Sequence, residues 1–362
     1  MRAVELLDGN LATLTRLANA PRRDRGFTRA VYSYPAKFQA HLPAALIELF
    51  TRPGELVVDP YAGGGTTGLE AYLAGRPALL TDLNPLGCLI ARVKTTPLRA
   101  DDVRAGLSSA LAARACRAIL DEDDAACLGP HVAGEIAALA GGIDAGGAPA
   151  AIVDLLRLAL VHTLKVVGRR DFAEDSVLPR FHRTVARLGA AVASLPAHGP
   201  RPRVVCASNH TLAAAAGAAA LVVTSPPYKD LDVEYGLLQI QRRVLRRSKR
   251  SHAVFALLGV APLAKPVLCG GRGDAYWKGL APALAAVRRV LADGAPAFFW
   301  IGFKTDDDHQ RFVGALAAAR LPVRHSIEVT LGRDRVASSR STHHGRATGM
   351  LGQDLLLACL AD

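Results

Sequence analysis

The stretch Glu55-Leu-Val-Val-Asp-Pro-Tyr-Ala-Gly-Gly-Gly-Thr-Thr-Gly-Leu-Glu-Ala-Tyr-Leu-Ala-Gly75 decides the fold of this chain. Its apolar start at 55–59 predicts a buried strand, the three adjacent glycines predict a turn, and residues 68–74 predict a helix closed by Gly75. Residues 76–81 predict a second strand that ends at Asp82. This is a βαβ unit, which binds its ligand beyond the carboxyl ends of the strands.

The glycine turn predicts a ligand that combines a nucleoside with an amino acid. Gly63, Gly64 and Gly65 let the backbone approach a ligand closely. Asp82 is placed to accept hydrogen bonds from ribose hydroxyls, an arrangement that a nicotinamide dinucleotide would also use. However, Asp59 directly before the turn suits an ammonium group and suits a pyrophosphate badly. The turn also lacks the third glycine of Gly-x-Gly-x-x-Gly, so an adenosyl amino acid is favoured over a dinucleotide.

A second motif, Thr224-Ser-Pro-Pro-Tyr228, ends the apolar run Leu221-Val-Val. Both prolines lack an N–H, and Pro226 moves Ser225 out of the helical region, so a rigid corner follows the strand. The Ser225 hydroxyl and the carbonyls of Ser225 and Pro226 are then acceptors that point outward, beside the flat ring of Tyr228. This corner predicts a pocket for a planar ring that carries an amino group.

Together with Tyr34-Pro-Ala-Lys-Phe38 and Thr81-Asp-Leu-Asn-Pro85, these motifs resemble the S-adenosylmethionine-dependent DNA methyltransferases that modify exocyclic amino groups. The resemblance covers about residues 30–97 and 203–303. It implies S-adenosyl-L-methionine as cofactor and DNA as partner. Serine at the head of the tetrapeptide resembles the cytosine-N4 branch, whereas many adenine-N6 enzymes carry aspartate there.

The resemblance also implies roles for individual residues. The implied cofactor-binding residues are Tyr34, Lys37, Phe38, Asp59, Pro60, Tyr61, Gly63, Gly64, Gly65, Thr66, Thr67, Asp82, Asn84 and Asn209. The implied catalytic residues are Ser225, Pro226, Pro227 and Tyr228. Cys206-Ala-Ser208 stands where the family usually has Gly-Asp-Ala/Ser, so an acid near the adenine is replaced and Asn209 is its candidate substitute. This departure keeps RNA, or a nucleoside-like or amine small molecule, open as the substrate.

Charge points to a polyanionic partner. The formal net charge is +12, which favours phosphates. The run Gln241–Arg250 holds six cations in ten residues. Its arginines Arg242, Arg243, Arg246 and Arg247 are predicted to bind the substrate's phosphates, with a solvated helix face as the alternative. A second cluster, in residues 333–346, is either a loop over the active site or ordinary surface.

The chain divides into three predicted parts. Residues 1–97 form an N-terminal helix and the first half of a methyltransferase domain, residues 98–200 a helical insertion, and residues 201–362 the second half. The whole fits an α/β, Rossmann-like class I methyltransferase fold with a seven-stranded, mostly parallel sheet and a final antiparallel hairpin. Helical spacing covers 101–120, 133–140, 151–167 and 177–195, separated in part by the acids at 121–124 and the glycines at 141–147. The acids are read as caps or loop residues without a catalytic role, and the alanine-rich stretch 212–221 is read as a helix.

Other features exclude some classes. The six cysteines, at positions 88, 116, 127, 206, 269 and 359, contain no Cys-x-x-Cys pair, so we expect no metal site and a reduced, cytoplasmic protein. None of them follows a proline, which disfavours covalent attack on a base carbon. No leader or membrane-spanning run is apparent, so no membrane partner is expected. A non-catalytic nucleic-acid binder on the same fold is the alternative to an enzyme.

Overall fold

The computed structural model describes residues 2–20, 26–32, 39–120, 122–166, 177–229, 273–303, 305–329 and 354–361. The helices among them are α1 (Arg2–Ala18), α2 (His41–Phe50), α3 (Thr66–Leu73), α4 (Pro85–Lys94), α5 (Ala100–Ala112), α6 (Glu122–Leu128), α7 (Pro130–Ala145), α8 (Ala150–Leu164), α9 (Val177–Ala193), α10 (Asp274–Val290) and α11 (Asp306–Ala318). The strands are β1 (Leu56–Asp59), β2 (Ala78–Asp82), β3 (Arg203–Cys206), β4 (Ala219–Thr224), β5 (Pro296–Gly302), β6 (Val323–Val329) and β7 (Asp354–Leu360).

The strands form one seven-stranded sheet in the order β3-β2-β1-β4-β5-β7-β6. The first five strands in this order pair in parallel, and β7 lies antiparallel between β5 and β6. This confirms the predicted mostly parallel sheet with a final antiparallel hairpin. The chain runs outward from β1 to β3 and then returns to β4 on the other side of β1. The order therefore reverses between β1 and β4, where open α/β sheets bind their ligands.

The sheet is covered on both faces because successive strand residues point to opposite sides. Val57, Leu221 and Phe298 pack with α1 and α2 on one face. Their neighbours Val58, Val222 and Phe299 pack with α10 and α11 on the other face. The strands consequently read as continuous apolar runs, which is typical of a sheet buried on both faces.

The segment between α4 and β3 is helical, as predicted, but its boundaries differ. Helices α5, α7, α8 and α9 share a core with one face of α4. The helix predicted to reach residue 120 ends at Ala112, and most of the acid run lies at the start of α6. The glycines predicted to separate helices lie partly inside α7. A Cβ at Gly141 would come within 1.7 Å of the Cys116 carbonyl, and one at Gly142 within 2.2 Å of the Ala110 carbonyl. These glycines therefore let α7 pack directly against backbone.

The helix predicted for the alanine-rich stretch 212–221 is wrong. The chain makes turns there and enters β4 at Ala219. Gly217 has a φ of 66°, and its N–H donates to the Arg289 carbonyl at 3.0 Å. The Arg289 guanidinium in turn donates to the carbonyls of Leu212, at 2.6 Å, and Ala214, at 3.0 Å. Tertiary partners thus override the helical propensity of alanine.

The short segment 26–32 contacts helices α3, α4 and α8. The Thr28 hydroxyl donates to the Lys94 carbonyl at 2.6 Å, and His162 Nε2 lies 2.7 Å from the Val31 carbonyl. Burial lowers the pKa of His162 to about 4, so its ring is neutral at pH 7 and donates from Nε2. Arg29 forms a bidentate pair with the buried Glu70 of α3, with distances of 2.6 and 2.8 Å. The chain that leads toward Tyr34 is thereby fixed on both sides. Within the described ranges, no helix is apolar and long enough to cross a membrane.

Candidate active site

The glycine turn between β1 and α3 is built for close approach. Gly63 and Gly65 have φ values of 48° and 70°, which favour glycine. A Cβ at Gly65 would lie 2.6 Å from the Cβ of Ala91, so α4 seats directly on the turn. Gly87 of α4 makes the same kind of contact, since its Cβ would be 2.8 Å from the Gly63 carbonyl. The sequence analysis missed Gly87, which stands in a helical pattern with no local signal of this packing.

A buried carboxylate lies at the start of this turn. Asp59, the last residue of β1, is 3% exposed. Its Oδ1 accepts hydrogen bonds from the Tyr61 N–H at 3.1 Å and from the Thr224 hydroxyl at 2.7 Å. Burial raises the pKa of Asp59 to about 6, against the opposing effect of these bonds. Asp59 is therefore mostly ionised at pH 7, and a cationic group beside it would be stabilised.

A second carboxylate organises the turn from below. Asp82 Oδ2 accepts from the Gly63 N–H at 2.7 Å, and Oδ1 accepts from the Asn84 N–H at 2.7 Å. Burial raises the pKa of Asp82. The Asn84 side chain then caps α4 by accepting from the N–H groups of Leu86 and Gly87 at 3.0 and 3.4 Å. Asp82 remains partly exposed, and its oxygens have lone pairs left for a ligand hydroxyl.

The tetrapeptide corner lies beside the glycine turn. Because β4 pairs in parallel with β1, with Val222 opposite Val58, both strands end at the same edge of the sheet. Thr224 bonds Asp59 from the residue directly before Ser225, and the Thr67 hydroxyl lies 3.4 Å from the Val223 carbonyl. The two motifs, 156 to 165 residues apart along the chain at these contacts, are thus brought together.

Three aromatic side chains from different elements pack on one apolar cluster at this edge. They are Tyr61 of the glycine turn, Tyr228 of the corner and Trp277 of α10. Tyr228, Ser225 and Pro227 are partly buried, and Pro226 is buried. The ring of Tyr228 is therefore held against the protein at one side, as a stacking face for a planar ligand requires.

An ion pair that the sequence analysis did not foresee holds the far side of the corner. Lys229 Nζ lies 2.6 Å from Asp308 Oδ1, in the first turn of α11, and the two side chains are 24% and 6% exposed. The backbone N–H of Asp308 donates to the Thr305 hydroxyl at 3.2 Å, and this bond caps the helix. Trp277 is flanked by Lys229 and Arg311, whose charged groups lie 5.9 and 4.6 Å from its ring centre. No sequence signal links residues 229 and 308, because their contact depends on the packing of α11.

The remaining predicted residues are placed as follows. Pro60, Gly64, Thr66 and Thr67 are buried in or beside the turn, and Asn209 is buried after β3 with 5% exposure. Tyr34, Lys37, Phe38, the arginines at 242, 243, 246 and 247, and the cluster at 333–346 lie outside the described residues. Trp300 is 7% exposed and packs in the core under α1 and α2. The described residues contain no group of three or more metal-ligating side chains.

Comparison with known proteins addresses the family of this chain. Residues 14–92 match the N6_N4_Mtase family model, DNA methylase. The predicted resemblance of this part of the chain to the exocyclic-amino DNA methyltransferases is confirmed. The Type II methyltransferase M.MjaII of Methanocaldococcus jannaschii is 31% identical over 64 residues, which are 18% of this chain and 12% of that protein. The Type II methyltransferase M.PvuII of Proteus hauseri is 38% identical over 55 residues, which are 15% of this chain and 16% of that protein.

The matched part is therefore a small fraction of each of these methyltransferases. Among solved structures, the geranyl diphosphate C-methyltransferase of Streptomyces coelicolor A3(2) aligns with a TM-score of 0.38 and 9% identity, over 99% of this chain and 98% of that chain. A similarity this low carries no argument about the chemistry of this chain.

Proposed function

We propose that this chain transfers a methyl group from S-adenosyl-L-methionine to an exocyclic amino group of a nucleobase in DNA, with cytosine N4 as the first candidate. The observation that carries the proposal is the 2.7 Å hydrogen bond between Thr224 and Asp59. It joins the carboxylate at the head of the glycine turn to the residue that precedes Ser225. A donor on the turn and an amine on the corner would thus be neighbours.

The turn fits the donor. S-adenosyl-L-methionine, when bound, supplies an electrophilic methyl group on its sulfonium. The ionised Asp59 suits its ammonium group, and Asp82 suits its ribose hydroxyls. The positive φ values of Gly63 and Gly65 give the turn a backbone shape that a ligand could approach closely. The proposed cofactor set retains Tyr34, Lys37, Phe38 and Asn209 from the family resemblance.

The corner fits an amine attached to a ring. Such an amine is a poor nucleophile because its lone pair is delocalised into the ring. Acceptors at the Ser225 hydroxyl and the Pro226 carbonyl hold its two hydrogens and favour the geometry that frees the lone pair. They also stabilise the positive charge that develops on nitrogen. Holding the nucleophile in line with the methyl group supplies much of the remaining acceleration, in general about 7–11 kcal/mol.

Several substrates compete within this proposal. Ser225 favours cytosine N4, and adenine N6 is the alternative within DNA. A base in duplex DNA would have to leave the stack to reach the corner. RNA, a nucleoside-like molecule or another small amine stays a candidate because Ala207 stands where the family usually has an acid. We also propose the division into residues 1–97, 98–200 and 201–362 as the functional organisation.

Transfer of tritiated methyl groups tests the substrate. Duplex DNA, single-stranded DNA, RNA and a pool of small amines are incubated with the protein and labelled S-adenosyl-L-methionine, and labelled nucleosides are identified by mass spectrometry. We expect N4-methylcytosine from DNA, and its loss in Ser225→Ala, which keeps the prolines and Tyr228. Label found only in small molecules would contradict the DNA assignment and leave the chemistry intact.

Calorimetry separates an enzyme from an inert binder. The intact chain should bind S-adenosyl-L-methionine, and Asp59→Ala should bind it more weakly because the ammonium loses its counter-charge. An absence of binding in both forms would contradict the proposed enzyme and favour the alternative, a non-catalytic nucleic-acid binder on the same fold.

Salt dependence tests the proposed phosphate contacts. Replacing Arg242, Arg243, Arg246 and Arg247 by glutamine should make the slope of log affinity against log salt concentration less steep. The expected change corresponds to the loss of up to about four phosphate contacts. The charge-matched control replaces the same number of arginines by glutamine on α5, α8, α9 and β3, at Arg104, Arg157, Arg183 and Arg203. Equal slopes in the two variants would return residues 241–250 to an ordinary solvated face.

A further inference from the structure

Two thiols lie at the end of β2, where the sequence departs from the family pattern. Cys206 ends β3 and is exposed, whereas Cys88, in the first turns of α4, is 1% exposed. The proposed reaction uses neither of them.

The backbone of β2 brings the two sulfurs together. Cys88 Sγ lies 3.4 Å from the Asp82 carbonyl, and Cys206 Sγ lies 3.8 Å from the carbonyl of the next residue, Leu83. Cys88 Sγ is also 4.0 Å from the carbonyl of Val205, the residue before Cys206. Cys206 is registered opposite Asp82 in the sheet, and the N–H of the following residue donates to the Asp82 carbonyl at 3.1 Å. Both thiols are therefore fixed on rigid elements.

The environment divides the work between the thiols. The pKa of Cys206 is lowered, first by a hydrogen bond from the Cys88 thiol and further by Arg92, against burial and the charge of Asp82. The pKa of Cys88 is raised by the same hydrogen bond and by burial. Cys88 therefore keeps its proton, and Cys206 is the solvent-accessible sulfur with the lower pKa. An accessible thiol of lowered pKa next to a second cysteine is the arrangement of peroxide-sensitive pairs.

We propose that Cys88 and Cys206 form a modification site, at which a peroxide converts the two thiols to an intramolecular disulfide. The Cys206 thiolate attacks one peroxide oxygen, so an S–O bond forms, the O–O bond breaks and hydroxide leaves. Cys206 is oxidised by two electrons to a sulfenic acid. The Cys88 thiol gives its proton to the hydroxide and attacks the Cys206 sulfur. The S–S bond forms as the S–O bond breaks, and the second oxygen leaves as hydroxide, which takes up the proton that Cys206 lost on ionising and becomes water. Two thiols and one hydrogen peroxide yield one disulfide and two waters.

The position of this site ties it to the ligand pocket, a part of the inference that rests on the proposed function. Asp82 holds the glycine turn through its side chain and contacts Cys88 through its carbonyl. A nucleoside bound at Asp82 would cover the exposed sulfur of Cys206. Bound ligand should then slow the oxidation of Cys206.

Peptide mapping without reductant tests the site directly. The reduced full-length chain is treated with equimolar hydrogen peroxide, capped with iodoacetamide, digested and analysed by mass spectrometry. We expect a cross-linked peptide pair containing residues 88 and 206, lost on treatment with dithiothreitol. In Cys206→Ser the cross-link should disappear. Cys116, an exposed thiol elsewhere on the surface, is the internal control and should be capped in all samples.

Three results would overturn the inference. These are the absence of an 88–206 cross-link while other thiols oxidise, a cross-link of Cys206 to a different cysteine, and oxidation of Cys116 as fast as that of Cys206. The experiment is repeated with S-adenosylhomocysteine at a concentration that calorimetry shows to be saturating. An unchanged oxidation rate would overturn the placement of the pair at the ligand edge. If calorimetry finds no ligand binding, the proposed function fails, and the cross-link alone still decides whether the site exists.

Discussion

Replacing Asp59 by asparagine would remove the buried charge at the head of the glycine turn and change little else. Asp59 Oδ1 accepts from Tyr61 and Thr224, and an asparagine oxygen accepts the same two bonds. The Asp59 carboxylate also hydrogen-bonds Thr67, and the Thr67 hydroxyl can accept a bond from the asparagine amide as readily as it donates one. The stability of Asp59→Asn therefore reports the cost of ionising this carboxylate in the folded chain.

The size of that cost follows from the pKa. Burial raises the pKa of Asp59 from 3.8 to about 6. Since one pKa unit is worth about 1.4 kcal/mol, the ionised carboxylate costs roughly 3 kcal/mol. The folded chain holds the Asp59 proton more tightly than the unfolded chain does. The contribution of this proton to the stability of the native protein is therefore lost as the pH rises from about 4 through about 6. Asp59→Asn lacks this loss and should exceed the native protein by about 3 kcal/mol at pH 8, and by less than about 1 kcal/mol at pH 4.

Urea unfolding followed by circular dichroism at several pH values between 4 and 8 measures the difference. Asp102→Asn, at an exposed position in the first turn of α5, is the matched control for replacing an aspartate by its amide. A difference that stays constant with pH, or a variant less stable than the native protein at pH 8, would refute the argument. A gain in stability joined to weaker ligand binding would indicate that the charge is kept for binding.

Three further predictions test the site and its support. Tyr228→Ala should weaken substrate binding by about 1–3 kcal/mol through loss of a stacking face and leave cofactor affinity unchanged, and an equal loss of both in calorimetry would show that the ring is misplaced. Lys229→Met should lower the free energy of unfolding by about 3 kcal/mol because Asp308 is left unpaired, and adding Asp308→Leu should restore most of it; without recovery the ion pair is not the cause. Gly141→Ala should lower the thermal midpoint sharply because its Cβ meets backbone, whereas Gly314→Ala, which has open space around it, should raise it slightly; the reverse order would contradict the packing.

The parts of this fold that depend on local sequence can be predicted from it. The strand, the glycine turn and the helix after Asp59 follow from an apolar run, left-handed backbone positions and a helical apolar spacing, and all three are where they are predicted. The mostly parallel, seven-stranded sheet with its final antiparallel hairpin also agrees with the prediction, because a chain of such units can pair in few ways. That the two motifs meet at one edge follows from that topology.

Local structure that depends on contacts between distant segments could not be predicted from the sequence. The alanine-rich stretch 212–221 has helical composition, yet Arg289 binds its carbonyls and β4 takes its end. Gly141 is predicted to lie between helices, but it lies inside α7, where the backbone of the segment after α5 packs against it. The role of Asp82 in holding the turn depends likewise on where Gly63 comes to lie. In each case a partner more than ten residues away decides the local structure.

The position of β7 has a consequence for how the chain is made. Because β7 lies between β5 and β6 and pairs with both, β6 has no place in the sheet until β7 is present. A ribosome-bound chain therefore keeps two strand edges open until residues 354–360 have left the exit tunnel, and such edges invite pairing with other chains. Strand β7 therefore closes this side of the sheet, whereas the residues of β1 and β4 are all available much earlier.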